Sequence, residues 1–226
     1  MVNSPCVGCG QCVSVCPTGA IVLNSEADKI WNALHNKEVK TTVQIAPAVR
    51  VAVAKELGVP ENENVMGKMV AALRMIGFDD VYDTSTAADL TVIEETKEFL
   101  ERLESGENLP LFTSCCPAWF RYAENYHPEL MENISSCKSP MEMFGAVLKS
   151  YYCQKNGIDP KDLFVVSVIP CTAKKFEVQR DHQNAAGLPD VDVAITTREL
   201  AKMIKEQGIL FDKLPDEMFD TPFGEA

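Results

Sequence analysis

Nowhere in its 226 residues does the chain carry an apolar run near the ~20 residues that a bilayer-spanning helix needs, so no membrane span is expected. Its first residues, Met1-Val2-Asn3-Ser4-Pro5, hold neither a basic region nor an apolar core. No secretory leader is therefore expected, and the cytoplasm is the expected location. Positive charge is scarce: 21 Lys and Arg stand against 33 Asp and Glu, a net charge of -12. Such a surface repels phosphate backbones and argues against a nucleic-acid partner. It suits a soluble protein that trades electrons with small, basic-patched partners. Internal repeats and low-complexity tracts are lacking. Histidine is rare, and His35, His127 and His182 lie in polar contexts where a surface position is expected.

Cysteine, by contrast, is plentiful and odd in number, at nine. Without an export signal a disulfide framework is disfavoured, and clustered spacing points to metal. The first cluster is Cys6-x2-Cys9-x2-Cys12-x3-Cys16-Pro17, the run that bacterial 4Fe–4S proteins use. Gly8 and Gly10 let the backbone wrap and offer N–H groups to sulfur. Zinc knuckles pair CxxC units across longer gaps, so zinc fits less well. Two alternatives stand for Cys16: it closes a single cube with Cys6, Cys9 and Cys12, or it belongs to a second cluster whose other ligands lie upstream. Cys137 and Cys153 fall outside any motif and are expected to be small buried or half-buried thiols in helical segments.

Two further cysteine sites have the same layout. In Thr113-Ser114-Cys115-Cys116-Pro117-Ala118-Trp119, an apolar strand over Leu109–Thr113 runs into a helix from Ala118 onward. Adjacent cysteines rarely bridge each other, and a helix N-terminus favours thiolate. In Ile169-Pro170-Cys171-Thr172-Ala173-Lys174-Lys175-Phe176-Glu177, the apolar strand Phe164–Val168 again leads to cysteine and then helix. Other strands are expected at Thr42–Ile45, Asp80–Asp83 and Val191–Thr196. Helices are expected at Ser25–Asn36, at Val49–Leu57, at Val65–Ile76 after a Pro60-Glu61-Asn62 turn, at Ala87–Leu103 and at Pro140–Asn156. Met143, Phe144, Val147, Leu148 and Tyr151 form a core stripe on the last of these, and Met66, Met69 and Met75 are expected inside. Alternation of strands and helices predicts an α/β fold, a parallel sheet flanked by helices, preceded by a partial ferredoxin-like iron-sulfur segment. The expected domains are 1–24 and 25–226. Ligands in such folds bind beyond the carboxyl ends of the strands, where Ala46-Pro47, Cys115-Cys116 and Pro170-Cys171 would lie.

TSCCPAW and IPCTAKKFE resemble the first two cluster-binding motifs of FeFe hydrogenases, TSCCPxW and MPCxxKxxE. The third motif, which has two more cysteines in a Gly-rich setting, is absent. The resemblance therefore identifies the front part of such a protein, its first catalytic lobe, ending early. In that family a 4Fe–4S cube is joined to a two-iron subcluster with CO, cyanide and an azadithiolate bridge, together the H-cluster. The resemblance makes Cys116 and Cys171 two of the cube's four ligands, the other two lying in the missing motif. It makes Cys115 the thiol that relays protons, with Glu95, Ser135 and Glu98 carrying them onward. Glu95 and Glu98 share a helix face at i and i+3, and raised pKa values would suit stepwise transfer; their sequence context alone would read as a solvated face. Lys174 is implied as a donor to a cyanide ligand, with Glu177 in pairing range and Lys175 solvated. Ala46, Pro47, Pro140, Met141 and Ile169 are implied to line the two-iron pocket. Met141 stands where the family has Gln, and Ile169 where it has Met.

Two functions follow as expectations. One is reversible interconversion of H2 with two protons and two electrons, with a ferredoxin-type redox protein as partner and a further chain supplying the second lobe. The other is an electron-transfer or hydrogen-sensing iron-sulfur module without turnover. Sensory relatives lose the thiol corresponding to Cys115, which is present here. The related cluster-assembly proteins usually lack the double cysteine. The final segment, from Asp220 to Ala226, reads as a loop and not a capping element, so a wet, partly apolar face and a need for a partner chain are expected.

Overall fold

A computed structural model describes residues 4–60 and 63–223. Glu61 and Asn62 of the expected turn, and the last three residues of the expected terminal loop, lie outside the described residues. The elements run α1 (Gln11–Val15), α2 (Ala27–His35), β1 (Lys40–Ile45), α3 (Val49–Glu56), α4 (Met66–Ile76), β2 (Asp80–Asp83), α5 (Ser85–Ser105), α6 (Pro117–Tyr126), α7 (Pro140–Val147), α8 (Cys153–Asn156), β3 (Leu163–Val168), α9 (Lys174–Glu177), β4 (Val193–Ile195) and α10 (Thr197–Glu206). Among the described residues no helix is long and apolar enough to cross a membrane.

The four strands form one parallel sheet in the order β2-β1-β3-β4. Ile45 pairs with Asp83 and with Val168, and Val168 pairs with Ile195, so the carboxyl ends of all four strands are level. The loops that begin at Ala46, Thr84, Ile169 and Thr196 therefore emerge along one edge. Period-two alternation divides the strand side chains between two cores. Val43, Ile45, Val166, Val168, Val193 and Ile195 meet α2, α3, α4 and α10 on one face. Leu163, Val165 and Ala194 meet α5 and α7 on the other. Full burial of a side chain such as Leu73 or Phe144 contributes about 2 kcal/mol. Gly77 and Gly106 end α4 and α5 in the left-handed conformation that glycine adopts readily.

Several expectations need correction. Leu109–Thr113 is not a strand: Pro110 has no N–H to give a ladder, and the segment makes only one bridge, Phe112 to Ile134. The Pro140–Asn156 helix is interrupted by a π-helical turn over Leu148–Tyr152. That extra residue rotates the register, so Tyr152 is buried and Tyr151 is exposed. Met75 is exposed while Met69 is buried. Cys137 sits in a bend before α7, outside any helix. Lys175 is not solvated but pairs with Glu199 at 2.9 Å. β4 starts two residues late, because the Asp192 carboxylate takes the Val165 amide at 2.7 Å in place of a ladder bond.

The tail beyond α10 also departs from expectation. Asp220 donates its N–H to the Val81 carbonyl at 2.9 Å and accepts the Val81 N–H on its carboxylate at 2.8 Å. It thereby caps the exposed edge of β2, the kind of edge that otherwise invites foreign strands. Arg74 holds it there through Glu217 and Asp220, at 2.5 and 3.0 Å.

Candidate metal and proton-transfer site

The cysteine loops gather at the carboxyl edge of the sheet. The parallel ladder continues one step past the strands: Ala46 donates to Val168 O at 3.0 Å and Ile169 to Ile195 O at 2.9 Å. This fixes where the backbone turns toward Cys171. The Cys115-Cys116 loop reaches the same place by a different route. Phe112 donates to Asn133 O at 2.9 Å, Ser135 donates to Phe112 O at 2.7 Å, and the Ser114 hydroxyl donates to Cys137 O. The loop is thus stitched along its length to the Ile134–Cys137 segment. Cys116 then caps α6, its sulfur 3.5 Å from the Trp119 amide with Pro117 in the first turn. A sulfur at that position receives the positive end of the helix, which stabilises thiolate. Cys115 and Cys116 are exposed and Cys171 is half-buried.

Lys174 joins the two loops. It is buried, pairs with Glu177 at 2.6 Å and donates to the Cys115 carbonyl at 3.0 Å. The i, i+3 pairing with Glu177 was legible from spacing; the contact with Cys115 was not.

On the far side of the Cys115 loop, Glu98 accepts from the Ser135 hydroxyl at 2.7 Å, from the Ser136 amide at 3.1 Å and from Arg102 at 2.6 Å. Burial pushes the Glu98 carboxyl up, but these donors outweigh it and hold its pKa below the ordinary value. The expected raised pKa is therefore not found at Glu98, because Arg102 and two hydrogen bonds stabilise its ionised form. Glu95 lies one turn earlier on α5, half-buried, with one carboxylate oxygen buried and unpartnered. An orphaned acceptor of this kind is free to take a proton or a donor. Arg102 escaped sequence reasoning; it also donates to the carbonyls of Asn108, Glu132 and Ile134 and so locks the outer end of the series. Its spacing of four from Glu98 was the available signal.

Met141 and Ile169 are buried, Pro140 and Ala46 half-buried, and Pro47 exposed. Gln44, next to the carboxyl end of β1, is fully buried and donates to Met141 O at 2.9 Å while accepting from Thr84 at 3.0 Å. Sequence alone gave no sign of this brace.

The N-terminal run folds as a loop around α1. Gly8 and Gly10 take φ of 72° and 76°, a region closed to most side chains. The Gly8 amide points at the Cys6 sulfur, 3.4 Å away. Cys6, Cys9 and Cys12 are exposed and Cys16 is half-buried. The Cys16 thiol is lowered to about 7 by hydrogen bonds from the Thr18 hydroxyl and from the amides of Ile21 and Thr18. Among the described residues no three Cys, His, Asp or Glu side chains converge as ligands of a single ion. A 4Fe–4S cube takes one cysteine at each iron, so its ligands stand further apart. The amide aimed at sulfur, the glycine wrapping and the all-cysteine donor set fit such a cluster. This segment docks on the second cysteine loop: Thr172, next to Cys171, donates to Gly8 O at 2.8 Å, and Arg121 of α6 donates to Ser4 O at 3.2 Å.

Comparison with known proteins gives the family. Residues 39–226 match the model for the iron only hydrogenase large subunit, C-terminal domain, and residues 3–22 match the 4Fe-4S binding domain. The chain is 49% identical over 232 residues to the NADP-reducing hydrogenase subunit HndD of Solidesulfovibrio fructosivorans, covering 100% of this chain and 40% of that protein. It is 46% identical to Iron hydrogenase 1 of Clostridium pasteurianum, over 92% of this chain and 36% of that one. It is also 32% identical to the cytosolic Fe-S cluster assembly factor narfl of Danio rerio, over 95% of this chain and 56% of that one. A solved structure of apo [FeFe]-hydrogenase HydA1 from Chlamydomonas reinhardtii superposes with a TM-score of 0.82 at 41% identity, over 90% of this chain and 53% of that chain. The chain thus spans between 36% and 56% of the length of these relatives.

Proposed function

Since the chain belongs to the iron-only (FeFe) hydrogenase large-subunit family, we propose that it is the cluster-binding front part of an enzyme interconverting H2 with protons and electrons. The observation that carries this reading is the Cys115 loop, tied on one side to Lys174 and on the other to Ser135 and Glu98. Cys6, Cys9 and Cys12 would hold a ferredoxin-type 4Fe–4S cluster, with Cys16 either closing the same cube or serving a second cluster. Cys116 and Cys171 would hold two corners of the catalytic cube, the remaining ligands coming from the additional length that the relatives possess. When bound, the catalytic cluster supplies the redox chemistry of making and splitting H2.

The chain's own residues do the rest. The hydrogen bond from Thr172, next to Cys171, to Gly8 of the Cys6–Cys16 run supports electron transfer between the two proposed cluster sites. Cys115 takes and gives a proton at Sγ, a role suited to a thiol. Glu95, with its unpartnered oxygen, accepts it next. Ser135 and Glu98 complete the path, Glu98 acting as the acceptor because Arg102 and Ser136 keep it ionised. Lys174 presents a buried ammonium to anionic ligands of the cluster. Ala46, Pro47, Pro140, Met141 and Ile169 shape its pocket, the buried ones excluding water. A ferredoxin-type redox protein is the proposed electron partner, a chain supplying the remaining length the structural one, and the cytoplasm the location.

The test is hydrogen–deuterium exchange after anaerobic cluster reconstitution and loading with a synthetic two-iron cofactor. It is run on this chain alone and with a polypeptide supplying the rest of the relatives' length. Activity only in the second case supports the proposal. Inactivity in both, with a normal ferredoxin-type spectrum, favours a second reading: a cluster-carrying module without turnover, which the similarity to the narfl assembly factor supports.

A further inference from the structure

Glu142 lies in the first turn of α7, next to Met141, with 0% of its surface exposed. Neither of its carboxylate oxygens has a hydrogen-bond partner. Four ionisable groups face it: Glu177 and Lys174 from α9, Asp190 from the loop before β4, and Lys138 from the turn before α7. Glu177 is closed by Lys174 at 2.6 Å. Asp190, equally buried, is closed by Lys138 and by the Ala185 amide at 2.9 Å. Two ammonium groups thus balance two carboxylates. The cluster is neutral only while Glu142 carries a proton, and an unpaired buried carboxylate is costly enough to enforce that. Burial, then the negative charges of Glu177 and Asp190, push this carboxyl up to about 8.

The cluster has an outlet. Lys138, Ser139 and Glu177 line a cleft of about 250 Å³ that also reaches Ser114, beside Cys115, and Ser135, the partner of Glu98. Gln183 lines the same cleft and has a buried, unpartnered side-chain oxygen.

We infer that Glu142 is a proton-holding site separate from the Glu95, Ser135 and Glu98 series, exchanging its proton with water in this cleft and setting the charge beside Lys174. The step is a simple ionisation: the Glu142 O–H bond breaks, the proton passes by way of its neighbours Ser139 and Glu177, which line the cleft, to a water or hydroxide there, and the cluster goes from neutral to one net negative charge. The Lys174 ammonium then gains a second anionic neighbour, which competes with whatever it faces on the Cys115 side. Only the bearing of this site on hydrogen chemistry rests on the proposed function; the proton itself does not.

The test is infrared difference spectroscopy on the full chain with reconstituted iron-sulfur clusters, titrated from neutral to alkaline pH in H2O and D2O. The expected result is a protonated-carboxyl C=O band that shifts in D2O, is lost with a midpoint near the value above, and is missing at every pH from Glu142→Gln. Glu177→Gln, which removes the foremost negative neighbour, is expected to move the midpoint down. No such band at neutral pH, or a band that persists in Glu142→Gln, overturns the site. Isotope exchange by the loaded assembly then separates the two readings. If the parent is active, Glu142→Gln is expected to lose the alkaline limb of its pH profile, and an unchanged profile overturns the link to Lys174. If the band titrates as stated but no assembly turns over, the proton site stands and the proposed function fails.

Discussion

The ammonium of Lys174 lies 3.0 Å from the carbonyl oxygen of Cys115 and 2.6 Å from the carboxylate of Glu177. One buried cation therefore joins the two cysteine loops, Lys174 and Cys115 being 59 residues apart in sequence. Its charge is met inside the fold, so its geometry does not depend on salt or on mobile surface partners.

Removing that cation alone strands Glu177 as an unpaired buried carboxylate. Lys174→Met is expected to cost about 3 kcal/mol, and Lys174→Met with Glu177→Gln to recover most of it. Urea midpoints of the parent, both single variants and the double variant give the coupling. A double variant whose loss equals the sum of the two single losses would show that the pair contributes nothing.

Glu98 predicts the acid side of the stability profile. Its folded pKa lies below the ordinary value, so its contribution is present above the unfolded pKa and is lost as pH falls through the folded one. Ser135→Ala deletes a hydrogen bond to an ionised group and is expected to cost about 1.5 kcal/mol at neutral pH. The cost should shrink in acid, once Glu98 is protonated in both proteins. Denaturant melts at neutral and acid pH measure this; a cost that is the same at both removes the charge argument.

Glu142 predicts the opposite slope. Its folded pKa, about 8, is raised, so the folded state holds a proton that the unfolded chain has released at neutral pH. Between the unfolded and folded values stability falls as pH rises, by up to about 1.4 kcal/mol per unit, and levels off above the folded value. Glu142→Gln is expected to flatten that slope and to be the more stable protein in alkali. Parallel pH profiles for parent and variant would count against a buried, titrating Glu142.

These three groups show what spacing does and does not reveal. The cysteine loops were legible because cluster chemistry demands fixed spacings, and the level sheet edge because short β-branched runs alternate with helices. The Lys174–Glu177 pair follows from i, i+3 geometry. By contrast, the Ile134 carbonyl that Arg102 reaches, the partners of Gln44 and the Lys138–Asp190 pair are met only through tertiary packing, at separations no local pattern encodes. Tyr151 and Met75 were misplaced for different reasons. A π turn shifts the register at Tyr151, and α4 leaves Met75 outside its buried stripe. The Leu109–Thr113 run has the apolarity of a strand but, with Pro110, not the donors.

Gly145 predicts how tightly α7 must approach the loop that carries Asp190. A Cβ at Gly145 would lie 2.4 Å from the Asp190 carbonyl oxygen and 2.7 Å from its carbonyl carbon. Both are backbone atoms, so no flexible side-chain end can give way. Gly145→Ala is expected to push α7 off the loop and cost about 2–3 kcal/mol, more than the helix propensity of alanine returns.

The docked cysteine run supplies a test that is independent of activity. Gly10 holds φ of 76°, and a Cβ there would lie 2.8 Å from the Thr172 hydroxyl oxygen, the group that donates to Gly8 O. Gly10→Ala therefore meets strain twice, in the backbone and against Thr172, whereas Thr172→Val removes only the tether. Hydrogen exchange at the amides that follow Gly10, Val13 above all, is expected to quicken about tenfold in Thr172→Val, which corresponds to losing one hydrogen bond, and more in Gly10→Ala. Iron content after reconstitution should be kept in Thr172→Val, since every cysteine remains, while the electron paramagnetic resonance signal of its 4Fe–4S cluster broadens as the segment loosens. Unchanged exchange in both variants would mean that the run is held by its own loop geometry and that Thr172 has no part in setting the distance between the two cluster sites.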